Sequence, residues 1–448
     1  ATTEIYTLSL HDALPISAPG LVHDVALRLM REPLQLSTQP AALELPLLLT
    51  AERNLVVLDM EKLGVGTLRL AGVSRSRGSL DVAYGEALAP DGRVDCIRND
   101  MSVADSLHFN SGRRKHFEWD FTGRRAFRYL QLEATGGLEV ALDEITLFDT
   151  RYPVEPLGSF RSDDERLSRI WQVGADTVSA CMGDNWEDCP TREHAQYPGD
   201  AYVEFPIALY AFGDFELSAK GLRQFGRSLS KEGFVNGRWP SSHILPWLLN
   251  YELFWISWLA DHARWSGDLA LVEKLFPAVL TVLAYHRGFY DNDGLLRVPG
   301  KLTWEQFTDH LDVDSRGEVT GHQCNFYKGL VDAAFLAELA GHLEEARLLH
   351  DEAKAVQESA WRLLYVPEKG LYTDCRLEGE PSEVFTRQSN CWAIWSGLAP
   401  EEAWQGLWEA MQKASLPTIK NPWSQFFVLE AMAKLGLYSE ALPLIEEY

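Results

Sequence analysis

The sequence predicts a multidomain β + α protein, in which a β-sandwich domain of jelly-roll type is followed by an (α/α)6 toroid that lacks its C-terminal end. Two observations support this fold class. Short segments of partly alternating polar and apolar residues recur between residues 53 and 150. From about residue 163 onward, apolar residues recur at helical spacing instead, in segments that come in pairs. We expect the β domain over residues 18–155 and the toroid over residues 156–448.

The β domain is predicted from six short segments that glycine or polar turns separate. Strands that recur at this rhythm are typical of a sandwich or a jelly roll. The segments are NLVVLDM, GTLRLAGV, GSLDVAYGEAL, KHFEWDF, AFRYLQLEA and LEVALDEITLFDT.

The toroid is predicted from about eleven helical segments that pair across short turns. Two such turns are SGD at 266–268 and AGHLEE at 340–345, whereas the pairs are separated by longer loops such as YDNDGLLRVPGKLTWEQFTDH. A complete toroid of six hairpins has twelve helices, so the count suggests that the last one is missing. A solenoid of helical repeats is the alternative, but the segments share no fixed period and no repeated signature.

Both ends of the chain look atypical. Residues 1–17, ATTEIYTLSLHDALPIS, have neither an initiator Met nor the basic start and apolar run of a signal peptide. We predict that they are a non-native leader that makes few contacts with the rest. The last segment, LYSEALPLIEEY, has helical spacing and stops without a cap or a glycine. The sequence therefore reads as a fragment.

The composition restricts the possible partners. The chain has 448 residues and a formal net charge of −24, from 41 basic and 65 acidic residues. Because nucleic acids and anionic membranes both require a basic face, we expect neither as a partner. No run of eighteen uncharged apolar residues indicates a membrane span. The oligomeric state stays open.

The aromatic and cysteine content adds two expectations. Fifteen tryptophans and fifteen tyrosines suit stacking against sugar rings, although most of them are expected to lie in the core. The six cysteines are widely spaced and form no CxxC pair, which predicts neither a zinc site nor a dense disulfide framework. A reducing compartment, and hence a cytoplasmic location, is the simplest expectation.

Catalytic chemistry is suggested by NWEDCPTREHAQYPGD, residues 185–200, where Asp188, Glu193 and Asp200 cluster around two prolines. Cleavage of a glycosidic bond requires an acid for the leaving oxygen and usually a second carboxylate. Calcium binding is an alternative, but the spacings of the three acids do not match a calcium loop. A second alternative is that the acids only form ion pairs with Arg192. We predict no metal and no cofactor.

The segment DCPTREHAQYPGD resembles the active site of the bacterial α-L-rhamnosidases of glycoside hydrolase family 78, whose usual form is Asp-Cys-Pro-x-Arg-Glu followed by an aromatic residue and Gly-Asp. The resemblance implies that Glu193 is the general acid of an inverting hydrolysis, and that Asp188 and Asp200 bind the sugar or tune the acid. It also implies that Arg192 holds a sugar hydroxyl and that Tyr197 takes the place of the family's aromatic residue. HAQYP replaces the more usual Arg-Leu-Gly-Trp-Thr, which leaves the exact sugar open.

The same resemblance covers residues 50–448 and implies a β-sandwich followed by a six-hairpin glycosidase domain. It places the general base in a Trp-Glu segment beyond residue 448. We therefore expect the 448-residue chain to bind sugar weakly and to hydrolyse it poorly.

Other substrate-binding candidates lie in the loops. Trp239, Trp247 and Trp304 follow polar or Pro/Gly-rich residues and are candidates for stacking on a sugar, unlike the helical Trp255 and Trp258. In the loop KLTWEQFTDH, Glu305 and Asp309 are candidates for the pocket but are not assigned as the base. His243 and His322 are close to loops too. For each of these single residues, a place in the core is an equal alternative.

These patterns lead to one principal hypothesis, a glycoside hydrolase that acts on terminal α-L-rhamnosides. A glycosidase for another sugar is one alternative. A polysaccharide lyase is disfavoured, because lyases typically need a Tyr/His pair and basic residues to neutralise a uronate. A carbohydrate-binding or degenerate six-hairpin protein without turnover is the non-enzymatic alternative.

Overall fold

A computed structural model describes residues 43–98, 101–241, 248–298 and 311–447. The predicted leader, residues 1–17, lies outside this range. The chain divides into two compact units. Among the described residues, the β unit comprises those up to Pro153, together with Ser179–Asp184 and Cys189–His194. The helical unit comprises Val154–Val178, Asn185–Asp188 and the described residues from Ala195 onward.

The β unit is built on an antiparallel sheet of seven strands in the order β1-β9-β2-β8-β3-β6, with β7 also paired to β2. A short pair, β4 and β5, lies outside this sheet. The strands of the unit are β1 Leu47–Leu49, β2 Leu55–Ser74, β3 Gly78–Gly85, β4 Ile97–Arg98, β5 Met101–Ser102, β6 Ala104–Phe109, β7 Lys115–Asp120, β8 Arg125–Thr135 and β9 Val140–Asp149.

Strand β2 corrects the sequence prediction, which divided it into two strands at a glycine turn. It runs without a break, with a register shift between Asp59 and Gly64. Gly66 is needed for close packing, because a Cβ built there would lie 1.9 Å from the Phe148 carbonyl oxygen in β9. This glycine therefore lets two strands approach and does not end one. Strand β6 was not predicted.

The long strand also organises the core of the β unit. One edge of β2 pairs with β9, while the other edge pairs first with β8 and then with β7. The branch brings apolar side chains from all these strands into a single cluster, including the fully buried Leu70, Phe127 and Leu130.

The helical unit contains eleven α-helices within the described residues. They are α1 Glu165–Ala180, α2 Pro198–Phe212, α3 Glu216–Arg227, α4 Leu249–Ser266, α5 Leu269–Arg287, α6 Thr320–Leu339, α7 Leu343–Leu364, α8 Arg387–Ser396, α9 Trp404–Lys413, α10 Pro422–Lys434 and α11 Tyr438–Glu446. Short strands connect some of them: β10 Glu318–Val319, β11 Tyr365–Val366, β12 Leu371–Tyr372, β13 Cys375–Leu377 and β14 Glu380–Pro381.

The even-numbered helices form the inner ring of a toroid. Helix α2 packs on α4, α4 on α6, α6 on α8, α8 on α10, and α10 returns to α2. The odd-numbered α3, α5, α7 and α9 pack against this ring. Pairing across the turns at 266–268 and 340–345 is confirmed, since these turns join α4 to α5 and α6 to α7. The predicted fold class, a β domain followed by a helical toroid, is likewise confirmed.

The inner helices begin at one common end of the ring. The first turns of α2, α4 and α10 meet at Gly199, which touches Tyr251 and accepts a hydrogen bond from Trp423. The first residue of α6 and the N-cap of α8 both bind Asp374. We call this end of the ring the N-terminal end.

Helix α5 is the only described helix that is long and apolar enough to cross a membrane. Its buried residues, among them Val272, Val279 and Leu283, pack against neighbouring helices of the unit. A core helix passes the same test of length and composition, so α5 gives weak support for a membrane span.

Candidate active site

The acidic segment 185–200 forms a closed loop that leads into helix α2. Asp188 closes it twice: its backbone N–H donates to the Ala195 carbonyl at 2.9 Å, and its Oδ1 accepts from the Ala195 N–H at 3.0 Å. The six residues Cys189–His194 project between these contacts. Asp188 and Ala195 belong to the helical unit, whereas the six projecting residues belong to the β unit. We call these six residues the acid loop.

Glu193 lies on a tight turn of the acid loop. Its backbone N–H donates to Cys189 Sγ at 3.4 Å, and His194 follows with a left-handed φ of 52°. The Glu193 carboxylate is 2.8 Å from Arg192 Nη1, and its side chain is 29% exposed. The ion pair with Arg192, an alternative raised by the sequence, is therefore present. It leaves the carboxylate open to solvent.

The acid loop is also held within the β unit. Thr191 donates a hydrogen bond from its hydroxyl to Glu86, which follows strand β3. Glu86 is exposed and Thr191 is half-buried. A residue of the β domain thus supports the loop that carries Glu193.

Asp200 lies in the first turn of α2, where the helix dipole favours a carboxylate. Pro198 begins the helix, as suits a position that needs no backbone donor. Tyr197 is the N-cap residue and is buried, with its ring edge-on to Tyr251 at 6.3 Å. Because Tyr197 is buried, it can line the side of a site but does not offer an exposed ring face for stacking.

Trp239 is tied to the segment through Gln196. The Trp239 N–H donates to the Gln196 carbonyl at 3.1 Å, and Gln196 Nε2 donates to the Trp239 carbonyl at 2.8 Å. These two hydrogen bonds hold Trp239, a predicted stacking residue, next to Gln196, which directly precedes Tyr197. Trp239 is half-buried.

Two aromatic residues that the sequence did not single out lie beside Asp200. A Cβ at Gly199 would lie 2.7 Å from the Tyr251 ring, so only glycine fits there. The indole N–H of Trp423 donates to the Gly199 carbonyl at 2.9 Å. These residues are separated in sequence by 52 and 224 positions from Gly199, and no local pattern predicts such contacts.

Glu204 is a further acid that the sequence analysis missed. It is four residues beyond Asp200, on the same face of α2. The residue as a whole is half-buried, but its Oε2 is inaccessible to water and has no hydrogen-bond partner. Burial raises the pKa of its carboxyl well above the usual value, and the nearby acids Asp200, Asp188 and Glu187 raise it further. Its spacing from Asp200 is the signal that could have identified it.

His322 belongs to a buried chain of polar groups instead. Its Nε2 is 3.1 Å from His286 Nδ1, and His286 Nε2 lies 3.3 Å from Glu252 Oε2, at an angle poor for a hydrogen bond. Burial lowers the pKa of His322 to about 3. Burial also lowers the pKa of His286 well below its usual value, so both histidines are neutral near pH 7, and their side chains are enclosed.

The other predicted site residues lie outside the described residues: Trp247, Trp304, Glu305, Asp309 and His243. Trp255 and Trp258 are fully buried in α4, as expected for core residues. Among the described residues, no group of three or more His, Cys, Asp or Glu side chains could hold a metal ion.

Family models match both parts of the chain. Residues 155–416 match the six-hairpin glycosidase domain of bacterial α-L-rhamnosidases, and residues 49–147 match the concanavalin-like domain of the same proteins. This chain belongs to the bacterial α-L-rhamnosidase family. The acid loop lies inside the matched glycosidase domain.

Solved rhamnosidase structures share the fold. The family 78 rhamnosidase of Bacillus sp. GL1 superimposes with a TM-score of 0.80 at 27% identity, covering 88% of this chain and 41% of that one. A Klebsiella oxytoca rhamnosidase with rhamnose bound gives a TM-score of 0.75 at 19% identity, covering 88% of this chain and 78% of that one. The Aspergillus terreus α-L-rhamnosidase gives a TM-score of 0.63 at 15% identity, covering 87% of this chain and 45% of that one.

This rhamnosidase-family chain therefore spans less than half of the Bacillus protein. A search of curated protein sequences gave no match.

Proposed function

We propose that this chain carries the acid-bearing part of an inverting glycoside hydrolase that removes terminal α-L-rhamnose from glycans or glycosides. The observation that carries the proposal is the position of Glu193, on a loop closed by Asp188 within the matched rhamnosidase domain. The rhamnose bound to the Klebsiella relative supports the choice of sugar.

In this proposal Glu193 protonates the leaving glycosidic oxygen. Its partial exposure leaves room for a substrate oxygen beside the carboxyl group. Arg192, which now contacts Glu193, turns to a sugar hydroxyl when the substrate binds. The proton of Glu193 can then pass to the leaving oxygen as the glycosidic bond breaks.

The surrounding residues bind the sugar. Asp188 and Asp200 accept hydrogen bonds from its hydroxyl groups, while Tyr197 and Trp239 line the site. Inversion also needs a carboxylate about 6.5 to 9.5 Å from the acid to activate water. We assign no described residue to that role.

The proposal is tested with an aryl α-L-rhamnoside and the full protein that contains this chain. Glu193→Gln keeps the size of the side chain and removes the proton, so we expect kcat to fall by about a hundred- to ten-thousand-fold. Substrates with poor leaving groups should lose most, because they depend most on protonation. ¹H NMR of the first-formed sugar should show the inverted anomer.

Glu344→Gln is the matched control, because it makes the same change at an exposed acid on α7. Its activity should equal that of the wild type. Retained stereochemistry would refute inversion, and full activity of Glu193→Gln on a poor leaving group would refute the assignment of the acid. Binding of L-rhamnose without any turnover by the wild type would favour the carbohydrate-binding alternative.

We also propose that the protein works in a reducing compartment such as the cytoplasm. All six cysteines lie within the described residues and none of them forms a disulfide there, and five of them are buried. Titration of the unfolded protein with a thiol reagent should give six thiols without prior reduction, whereas fewer would point to disulfides formed elsewhere.

A further inference from the structure

A cluster of aromatic rings fills the axis of the inner ring. Four inner helices contribute to it: Tyr202 from α2, Phe254 from α4, Trp392 from α8 and Phe427 from α10. All four side chains are at most 5% exposed. Flat rings in edge-to-face contact make a rigid, dry packing layer. We call this set the aromatic plug.

Trp423 lies against the aromatic plug in the first turn of α10. It packs edge-on to Phe254, Trp392 and Phe427, with ring centroids 4.9 to 6.2 Å apart. Unlike those three residues, which are at most 1% exposed, Trp423 is only half-buried. Its exposed surface therefore faces away from the plug, at the N-terminal end of the inner ring.

The orientation of Trp423 is fixed on both sides. Its indole N–H donates to the Gly199 carbonyl at 2.9 Å, and Tyr251 packs at a tilt of 33° with the centroids 5.9 Å apart. Asn421 caps α10 by accepting hydrogen bonds from the Trp423 and Ser424 N–H groups. An indole held in this way loses little conformational entropy when a ligand binds.

The hydrogen bond also places the indole edge beside the peptide bond that joins Gly199 to Asp200. Asp200 lies in the first turn of α2 and Trp423 in the first turn of α10, which packs on α2. The N-terminal end of the ring therefore carries a carboxylate and a half-buried apolar ring on neighbouring helices. One polar and one apolar wall next to each other match a pyranose, which has hydroxyl groups at its edge and C–H groups on its face.

We infer that Trp423 is the platform on which the sugar held by Asp200 stacks, and that it is a specificity-determining residue of this site. The inference rests on the proposed function, because it assumes that Asp200 binds a sugar. It adds a residue that follows the acid loop by more than two hundred positions and that no motif marks. The contact is one of the apolar sugar face with the indole ring, and the N–H group serves only to orient that ring.

The two roles of the indole, ring surface and N–H anchor, are separated by three substitutions. Trp423→Phe keeps an aromatic face and loses the N–H, Trp423→Leu keeps apolar volume without a ring, and Trp423→Ala removes both. L-rhamnose binding is measured by calorimetry, and kcat and KM are measured with an aryl α-L-rhamnoside. Thermal unfolding of each variant checks that the plug is intact.

For a stacking platform, we expect Trp423→Ala and Trp423→Leu to weaken rhamnose binding and raise KM about tenfold, the range of one aromatic contact. Trp423→Phe should stay within about threefold of the wild type in both quantities. If Trp423 only anchors Gly199, Phe, Leu and Ala will lower kcat alike and leave rhamnose binding unchanged, which would overturn the inference.

A failure of the proposed function looks different. If the wild type neither binds L-rhamnose nor cleaves the rhamnoside, the assigned sugar is wrong and the inference falls with it. If the wild type binds rhamnose and Trp423→Ala binds it equally well, the proposed function stands and only the stacking role is refuted.

Discussion

Glu204 and Asp332 are both enclosed carboxyl groups of the helical unit, yet their surroundings shift their pKa values in opposite directions. Burial acts on both in the same sense, by disfavouring the charged form. Around Glu204 the neighbouring acids add to that effect and raise its pKa further. Around Asp332 the cations of Lys328 and Arg264 outweigh burial and lower its pKa.

The contacts explain the difference. Asp332 is 0% exposed, with Oδ1 2.8 Å from Arg264 Nη2 and Oδ2 2.5 Å from Lys328 Nζ. The Oε2 atom of Glu204 has no hydrogen-bond partner, and its charged neighbours are Asp200, Asp188 and Glu187. The paired carboxylate at Asp332 serves the fold. The Glu204 carboxyl, whose pKa is raised, lies beside the candidate site, where perturbed acids are concentrated in enzymes.

The largest expected effect concerns the paired group. Asp332→Asn removes the negative charge that pairs with both Arg264 and Lys328, so each cation loses this ion pair. We expect the free energy of unfolding to fall by about 3 to 5 kcal/mol, measured by urea unfolding at pH 7. Glu204→Gln is the matched comparison and should not destabilise the protein, because it replaces a carboxyl whose surroundings disfavour its charge with an uncharged amide of the same size. Equal losses of unfolding free energy in the two variants would mean that the paired and the unpaired carboxyl groups do not differ in their effect on stability.

The second prediction is the pH dependence of Glu204→Gln. A carboxyl with a raised pKa in the folded state contributes stability below its unfolded value of 4.5 and loses that contribution as the pH rises toward the folded value. Relative to the wild type, Glu204→Gln should therefore gain stability by up to about 1.4 kcal/mol per pH unit as the pH rises from 4.5, and the gain should level off once the pH passes the folded-state pKa. Urea unfolding between pH 4 and pH 8 measures the difference. Parallel stability curves would show that Glu204 is ionised in the fold.

A third, smaller effect tests the pairing at Asp332 itself. In the Asp332→Asn background, Lys328→Met removes one of the two cations that have lost this carboxylate, while Arg264 keeps its ion pair with Asp261. We expect this second change to restore about 1 to 2 kcal/mol of unfolding free energy, whereas Lys328→Met alone should be destabilising. Additive losses in the double-mutant cycle would mean that Lys328 and Asp332 do not interact energetically.

The smallest effect is expected at an exposed carboxylate. Glu86→Gln changes the partner of Thr191, but water screens the site, so the unfolding free energy should change by no more than about 0.5 kcal/mol. Thermal unfolding of the wild type and of the variant measures it. A loss as large as that of Asp332→Asn would mean that solvent exposure does not explain the different contributions of Glu86 and Asp332 to stability.

Most helices and the acid segment could be predicted from the sequence because they depend on local patterns. The spacing around Leu253, Trp255 and Trp258 predicts α4, and the two prolines predict an irregular loop around Glu193. Local rules fail between two predicted strands: residues 61–65 were taken for a turn, whereas β2 runs through them, and Gly66 lets β9 approach β2.

The missing parts of the site depend on contacts that are distant in sequence. Trp423 meets Gly199 from 224 positions away. Asp332 contacts Arg264, which precedes it by 68 positions, so its i, i+4 neighbour Lys328 was the only partner visible in the sequence. The role of each of the nine predicted site residues stays a prediction. The structure describes six of them and leaves Trp247, Trp304 and Glu305 outside.

The division of the acid segment between the two units affects how such enzymes can recombine. A genetic crossover placed at the linker near residue 154 would transfer the helical sequence with the acid loop inside it. The contacts of that loop lie mostly with the β unit, where Thr191 donates a hydrogen bond to Glu86. A chimera would therefore receive Glu193 on a loop whose hydrogen-bond partner came from the other parent. Positions 86 and 191 are the pair of residues to match when a crossover is placed at this linker.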